Sequence, residues 1–181
     1  MRFSPTFFAV IFSAALAAPS YAVEPIPDPA VEKPAVSAEK PSLVDRATSS
    51  LKTATNSVQT AIDDAIDLIG IRYKRGGQTP ETGFDCSGFV RHVFQEGMGL
   101  LLPRSAKEIS KEGEVVKRTE LQPGDLVFFN TMRKTFSHVG IYLGDNQFIH
   151  SPRTGGAVRI EDLREKYWAK RYEGARRVSA E

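Results

Sequence analysis

Apolar positions recur along this chain in three rhythms. Phe7 to Ala18 is almost wholly apolar, follows Arg2, and is too short to span a bilayer. Ser20-Tyr21-Ala22 then offers small residues at the two positions a signal peptidase reads, so residues 1–22 are expected to be a cleaved export signal. From Val23 to Pro41 the rhythm is lost. Pro25, Pro27, Pro29, Pro34 and Pro41 forbid regular structure there and predict an extended spacer. From Val44 a stripe appears at alternating intervals of three and four: Val44, Ala47, Leu51, Ala54, Val58, Ala61, Ala65, Leu68. That spacing predicts a helix, and its small residues favour packing on its own domain over a coiled-coil partner. Residues 23–60 are read as spacer plus weak helix, and 61–181 as the folded domain.

Beyond Gly70 the rhythm shortens. Cys86 to Gln95 places Phe89, Val90, Val93 and Phe94 on one helical side, and Ser105 to Lys111 predicts a second helix after Pro103. Strand-like runs follow at Glu114–Lys117, Asp125–Phe129, His138–Leu143, Gln147–His150 and Ala157–Ile160. Gly144-Asp145-Asn146 predicts a hairpin between two of them. Helices first and strands afterwards predict an α+β fold with an antiparallel sheet.

Composition narrows the chemistry. Of 181 residues, 41% are hydrophobic and 25% charged, which excludes a collagen-like or wholly disordered chain. A net charge of +2 gives no reason to expect a nucleic-acid partner. The chain has one cysteine, so no internal disulfide and no multi-thiolate metal site is expected. That cysteine, Cys86, lies far from the apolar leader, so no lipid anchor on a cysteine after the signal and no membrane insertion after cleavage are expected. The mature protein is expected to be exported, periplasmic or secreted. Cys86 is then inert packing, a thiol that pairs with another chain, or a nucleophile.

Its setting favours the nucleophile. Asp85 suits a helix N-cap, which puts Cys86 in the first turn, where unpaired N–H groups and the helix dipole favour a thiolate. The same N–H groups suit an oxyanion. His138 opens one expected strand and His150 closes the next, so a hairpin brings them to the same end. The expected order is attack by Cys86, proton transfer by His138 and orientation of His138 by His150. Zinc ligation by these three residues is the competing reading, against which the wide ligand spacing counts. His92, six residues after Cys86, falls on another helical face and is given no catalytic role.

The motifs Phe84-Asp85-Cys86-Ser87-Gly88-Phe89-Val90, Leu121-Gln122-Pro123-Gly124-Asp125-Leu126-Val127-Phe128-Phe129, His138-Val139-Gly140-Ile141-Tyr142-Leu143-Gly144 and Phe148-Ile149-His150 resemble the NlpC/p60 family of cell-wall cysteine peptidases. The resemblance runs from about Ala61 to the end. Arg72-Tyr73-Lys74-Arg75-Gly76-Gly77, Leu102-Pro103-Arg104-Ser105 and the stretch from Tyr167 to Val178 make it most like the Spr (MepS) murein endopeptidase subgroup. It implies a papain-like fold and a catalytic set of Cys86, His138 and His150, with the Tyr73 hydroxyl near the thiol. It implies peptidoglycan as the substrate, with meso-diaminopimelate–D-alanine cross-links as the bonds cut. The γ-D-glutamyl–diaminopimelate bond and a non-catalytic wall-binding role are the alternatives. No cofactor is implied, and any regulatory partner is unknown. Asp85, Ser87 and Arg104 are candidate substrate contacts, and Arg153 and Arg159 are further cations suited to stem-peptide carboxylates. Ile109 stands where the family often has glutamine.

Overall fold

The computed structural model describes residues 42–179 apart from residue 132. The expected export signal, and the spacer as far as Pro41, lie outside the described residues. The described chain opens with α1 (Leu43–Asp67). A capping box fixes its start: the Asp45 N–H donates to the Ser42 hydroxyl, and the Ser42 N–H donates to the Asp45 carboxylate, both at 3.1 Å. Only the last turns of α1 reach the core, where Ala61, Ile62 and Ala65 are buried. Leu43, Val44 and Leu51, at the head of the stripe, remain exposed. In that outer part the hydroxyls of Thr48, Thr53, Thr55, Ser57 and Thr60 each donate to the carbonyl four residues back.

The remaining elements are β1 (Gln78–Thr79), β2 (Gly83–Phe84), α2 (Cys86–Met98), α3 (Ala106–Ile109), β3 (Glu114–Val116), β4 (Leu126–Phe129), β5 (His138–Gly144), β6 (Gln147–His150), β7 (Arg159–Asp162), α4 (Lys166–Ala169) and β8 (Tyr172–Arg177). The strands β1 and β2 form a small ribbon. The other six form one antiparallel sheet in the order β3-β8-β4-β5-β6-β7. This is the α+β arrangement expected from the sequence. Two details differ. The last expected strand forms at Arg159–Asp162 rather than Ala157–Ile160, and Ala157 instead makes an isolated bridge to Arg72. A further strand, β8, enters the middle of the sheet between β3 and β4.

Helices α1, α2 and α3 cover one face of the sheet. There Leu126, Phe128, Val139, Ile141 and Ile149 pack with Phe89, Val90, Val93 and Phe94 of α2. On the other face Val127, Phe129, Tyr142 and Phe148 pack with Leu163 and Trp168. Burial on both sides explains why β4 reads as an unbroken apolar run instead of alternating. Ile109 is fully buried in the helix-side core, so an apolar residue in that place serves packing. At Gly97 a Cβ would lie 2.5 Å from the Ala61 Cα, so the absence of a side chain is what lets α1 seat on α2.

The β5–β6 hairpin turns through Asp145 (φ 50°) and Asn146 (φ 64°), two successive left-handed residues of the kind that match strand twist. The start of β4 is tied to the end of β8 by a buried carboxylate. Arg177 donates to both oxygens of Asp125 at 2.8 Å, and the Gln122 N–H adds a third bond at 2.8 Å.

Candidate active site

Helix α2 starts at Cys86 because Asp85 caps it, its Oδ1 accepting from the Gly88 N–H at 2.7 Å. Asp85 Oδ2 also accepts from the Gly76 N–H at 3.0 Å. Arg104 reaches the same carboxylate at 2.5 and 3.0 Å and the Ser87 hydroxyl at 2.8 Å. These contacts engage both oxygens of Asp85 and both terminal nitrogens of Arg104. At Gly88 a Cβ would sit 2.0 Å from the Gly77 carbonyl oxygen, so the loop carrying Tyr73 lies flat against the helix start. Tyr73 is held there by its own N–H, which donates to the Gly156 carbonyl at 2.8 Å.

Cys86 and His138 line one cleft of about 720 Å³. Tyr73 and Trp168 contribute aromatic wall, Arg75, Arg153 and Arg159 contribute cations, and Glu161 and Glu165 contribute carboxylates. The backbone N–H groups of Val139, Ser87 and Cys86 itself are directed at the sulfur. They favour the thiolate, but burial outweighs them, the Asp85 charge adds to it, and the thiol is pushed up to about 11. The resting group is therefore the neutral thiol. This departs from the thiolate expected at a helix N-terminus, because the dipole acts on a sulfur that is largely shielded from water.

His138 and His150 are both buried. They meet as the hairpin predicts, His138 Nε2 lying 2.7 Å from His150 Nδ1. Room for this contact depends on Gly140, whose Cβ would fall 2.9 Å from the Ile149 carbonyl oxygen and 3.2 Å from the His150 Cβ. Burial holds the imidazolium form of His138 well below its usual pKa; His150 lowers it further and Glu161 opposes the shift. Burial also lowers His150, against the hydrogen bond and charge of Glu161. Both rings are thus neutral at rest. Trp168 stacks on His138 at 5.7 Å and meets His150 edge-on at 5.0 Å, which fixes both ring planes.

Residues 70–177 match the NlpC/P60 family. The chain belongs to this family. Among its curated relatives, it is 48% identical over 117 residues to Murein DD-endopeptidase MepS/Murein LD-carboxypeptidase of Escherichia coli (strain K12), covering 65% of this chain and 61% of that protein. It is 47% identical over 113 residues to Murein DD-endopeptidase MepH of the same strain, covering 61% of this chain and 42% of that protein. The chain thus spans about half the length of these relatives. Among solved structures, an NlpC/P60 family protein from Bacillus cereus superposes with a TM-score of 0.63 at 34% identity, covering 68% of this chain and 40% of that one.

Of the residues singled out from the sequence, Cys86, His138 and Tyr73 thus lie on the lining of one cleft, and His150 is hydrogen-bonded behind His138. Asp85, Ser87 and Arg104 form a bonded cluster at the foot of α2. His92 packs on the Phe84 ring at 5.1 Å. Among the described residues no three His, Cys, Asp or Glu side chains are grouped so as to hold a metal ion, and no helix is long and apolar enough to cross a membrane.

Trp168 and Glu161, which both contact the histidine pair, were not singled out from the sequence. Trp168 figured only as part of the resemblance. Glu161 was missed altogether, although on β7 it lies one pleat beyond Arg159, the residue paired with His150, and so on the histidine's face. Its Oε2 is 3.0 Å from His150 Nε2, and its Oε1 accepts from Arg159 Nε at 2.7 Å. Burial alone would raise the Glu161 pKa; His150 and Arg159 outweigh it and hold it at about 2.

Proposed function

We propose that this chain is a cysteine-type peptidoglycan endopeptidase that hydrolyses meso-diaminopimelate–D-alanine cross-links of the bacterial cell wall. The observation that carries the reading is one cleft lined both by a thiol at a helix start and by the first member of a buried, hydrogen-bonded histidine pair. The naming of its relatives as murein endopeptidases supports the substrate class. Cys86 is the nucleophile, His138 the general acid and base, and His150 the residue that orients it.

The neutral resting pair defines the order of events. As Cys86 Sγ attacks the substrate carbonyl carbon, its proton passes to His138. The carbonyl oxygen becomes an oxyanion that draws on N–H groups at the start of α2, with the Tyr73 hydroxyl adjacent. The amide C–N bond breaks as His138 returns that proton to the leaving amine, which leaves a thioacyl-enzyme. His138 then takes a proton from water, which attacks the thioester carbonyl, and gives it back to the sulfur. Arg75, Arg153 and Glu165 on the cleft lining suit a zwitterionic peptide bearing free carboxylates and an amine. In this reading residues 1–22 send the chain to a periplasmic or extracellular compartment, where the wall lies, and residues 61–181 form the catalytic domain. No cofactor, nucleic acid or membrane insertion enters the scheme.

The test is digestion of purified, cross-linked wall followed by mass spectrometry of the released muropeptides. Loss of dimers without shortened stems, abolished by Cys86→Ala, is the expected result. Shortened stems would move the activity to the γ-D-glutamyl–diaminopimelate bond. Binding to wall with no release by the unaltered protein would make it a non-catalytic adaptor.

A further inference from the structure

The histidine pair does not end at His150. An ionised carboxylate only accepts hydrogen bonds, so the 3.0 Å contact to Glu161 Oε2 requires the proton of His150 to sit on Nε2. A neutral His150 then presents an unprotonated Nδ1. The 2.7 Å contact to that nitrogen requires His138 to carry its own proton on Nε2. One nitrogen remains, His138 Nδ1, and it is left as a lone pair. Each ring's tautomer is thus dictated by the group behind it, and the first member of the series is an anion.

Glu161 is built to hold that place. Arg159 takes its Oε1 through two nitrogens, at 2.7 and 2.5 Å, which leaves Oε2 to the histidine. The carboxylate side chain is only 17% exposed, and His150 is fully buried between it and His138. Arg159 is engaged by this contact rather than standing free for substrate.

We propose that Glu161 is a positioning residue: through His150 it fixes the Nε2–H tautomer of His138, leaves Nδ1 free as the base for Cys86, and stabilises the imidazolium that forms. The proposal rests on the catalytic roles given above for Cys86, His138 and His150. The imidazolium that forms on His138 has His150 beside it, and its cleft is also lined by Cys86, Tyr73, Arg75, Arg153, Arg159 and Glu165.

Glu161→Gln tests it, since the amide keeps the size and an acceptor but loses the charge. Two readouts need no wall substrate. The first is the pH profile of Cys86 alkylation by iodoacetamide. The thiolate–imidazolium fraction scales with imidazolium stability, so the neutral-pH rate is expected to fall about tenfold for each pKa unit lost, and the acid limb to move to lower pH. The second is the ring nitrogen-15 spectrum, in which the unaltered protein should show a pyridine-type His138 Nδ1, a signature that Glu161→Gln should lose or mix. On wall, kcat should fall about 10- to 100-fold with little change in KM. Glu161→Asp, which restores the charge on a shorter stem, should recover part of the rate and of the acid limb. A folded Glu161→Gln protein with the unaltered alkylation profile and ring spectrum would overturn the proposal. If those two readouts shift while the unaltered protein releases nothing from wall, the relay stands and the endopeptidase reading fails. Wall release without the shifts has the reverse meaning.

Discussion

Gly140 offers a sharp test of how the site is packed. It lies on β5 two residues after His138, against β6, and replacing it with alanine adds one methyl group between the strands. That carbon would sit 2.8 Å from a Phe148 ring atom, 2.9 Å from the Ile149 carbonyl oxygen and 3.2 Å from the His150 Cβ. Ordinary contact between such atoms needs about 3.5 Å or more, so the shortfall is roughly 0.3–0.7 Å on three sides. The phenyl ring can swing, but the Ile149 carbonyl is backbone within the strand pair, so β6 itself must move. Overpacking of this kind costs about 1–3 kcal/mol, which for a domain of this size lowers Tm by about 3–10 °C. The displaced strand carries His150, so the 2.7 Å histidine contact should open as well. Misplacement of catalytic groups by about 1 Å costs up to about 100-fold in rate. Calorimetry, together with iodoacetamide alkylation and muropeptide release on the same preparation, measures both effects. A Gly140→Ala protein with Tm within about 1 °C of the parent and undiminished activity would refute the packing argument.

The Asp125–Arg177 pair should respond unequally. Arg177→Ala leaves a carboxylate of 2% exposure with a backbone N–H but no cation and should cost about 3–5 kcal/mol in urea unfolding, whereas Asp125→Ala frees a half-exposed guanidinium and should cost about 1–3; equal losses would contradict this. His138 and His150 both have lowered folded pKa values, so between the usual 6.5 and those values the unfolded chain binds more protons. Their contribution to stability is complete above pH 6.5 and is lost as pH falls below it; Tm should drop from pH 7 to pH 5, with a shallower slope in His138→Asn. Glu161 acts in the same direction at lower pH. Its folded value of about 2 lies below the ordinary 4.5, so its contribution is present above pH 4.5 and is lost between there and about pH 2. Glu161→Gln should flatten acid unfolding in that window. Trp168→Ala removes the ring that fixes both imidazole planes and should cost about 3–5 kcal/mol, while Trp168→Phe should retain most of the stability and lose more activity than stability.

What the sequence disclosed follows the range of each interaction. Helix α2 was legible because its signals are adjacent: Asp85 as cap, then apolar residues on one side. The β5–β6 hairpin was legible because Gly144-Asp145-Asn146 sets its register, and the register in turn brings His138 to His150. Long-range contacts gave no such signal. Asp85 and Arg104 are 19 residues apart, and nothing in either neighbourhood foretells that each occupies the other. Strand β8 reads as charged, since its only buried residue is Ala175, and it is defined by partners on β3 and β4. Glu161 was hidden because β7 takes its boundaries from pairing with β6, not from its own alternation. The first half of α1 shows the converse: a regular apolar stripe marks a face, and whether that face is covered depends on where the helix lies.

The placement of β8 has a consequence in time. Every residue of the site precedes Tyr172, yet the strand that follows them is the one inserted between β3 and β4. Until it arrives, β4 has an open edge, β3 has no neighbour, and Asp125 has no cation. A chain made from its N-terminus onward therefore holds both histidines and the thiol well before it can complete the sheet that positions them. A chain halted short of Arg177 carries every residue of the site but lacks the strand and the cation that complete the sheet. For a protein proposed to cut the wall of a living cell, assembly itself then sets the earliest moment of activity.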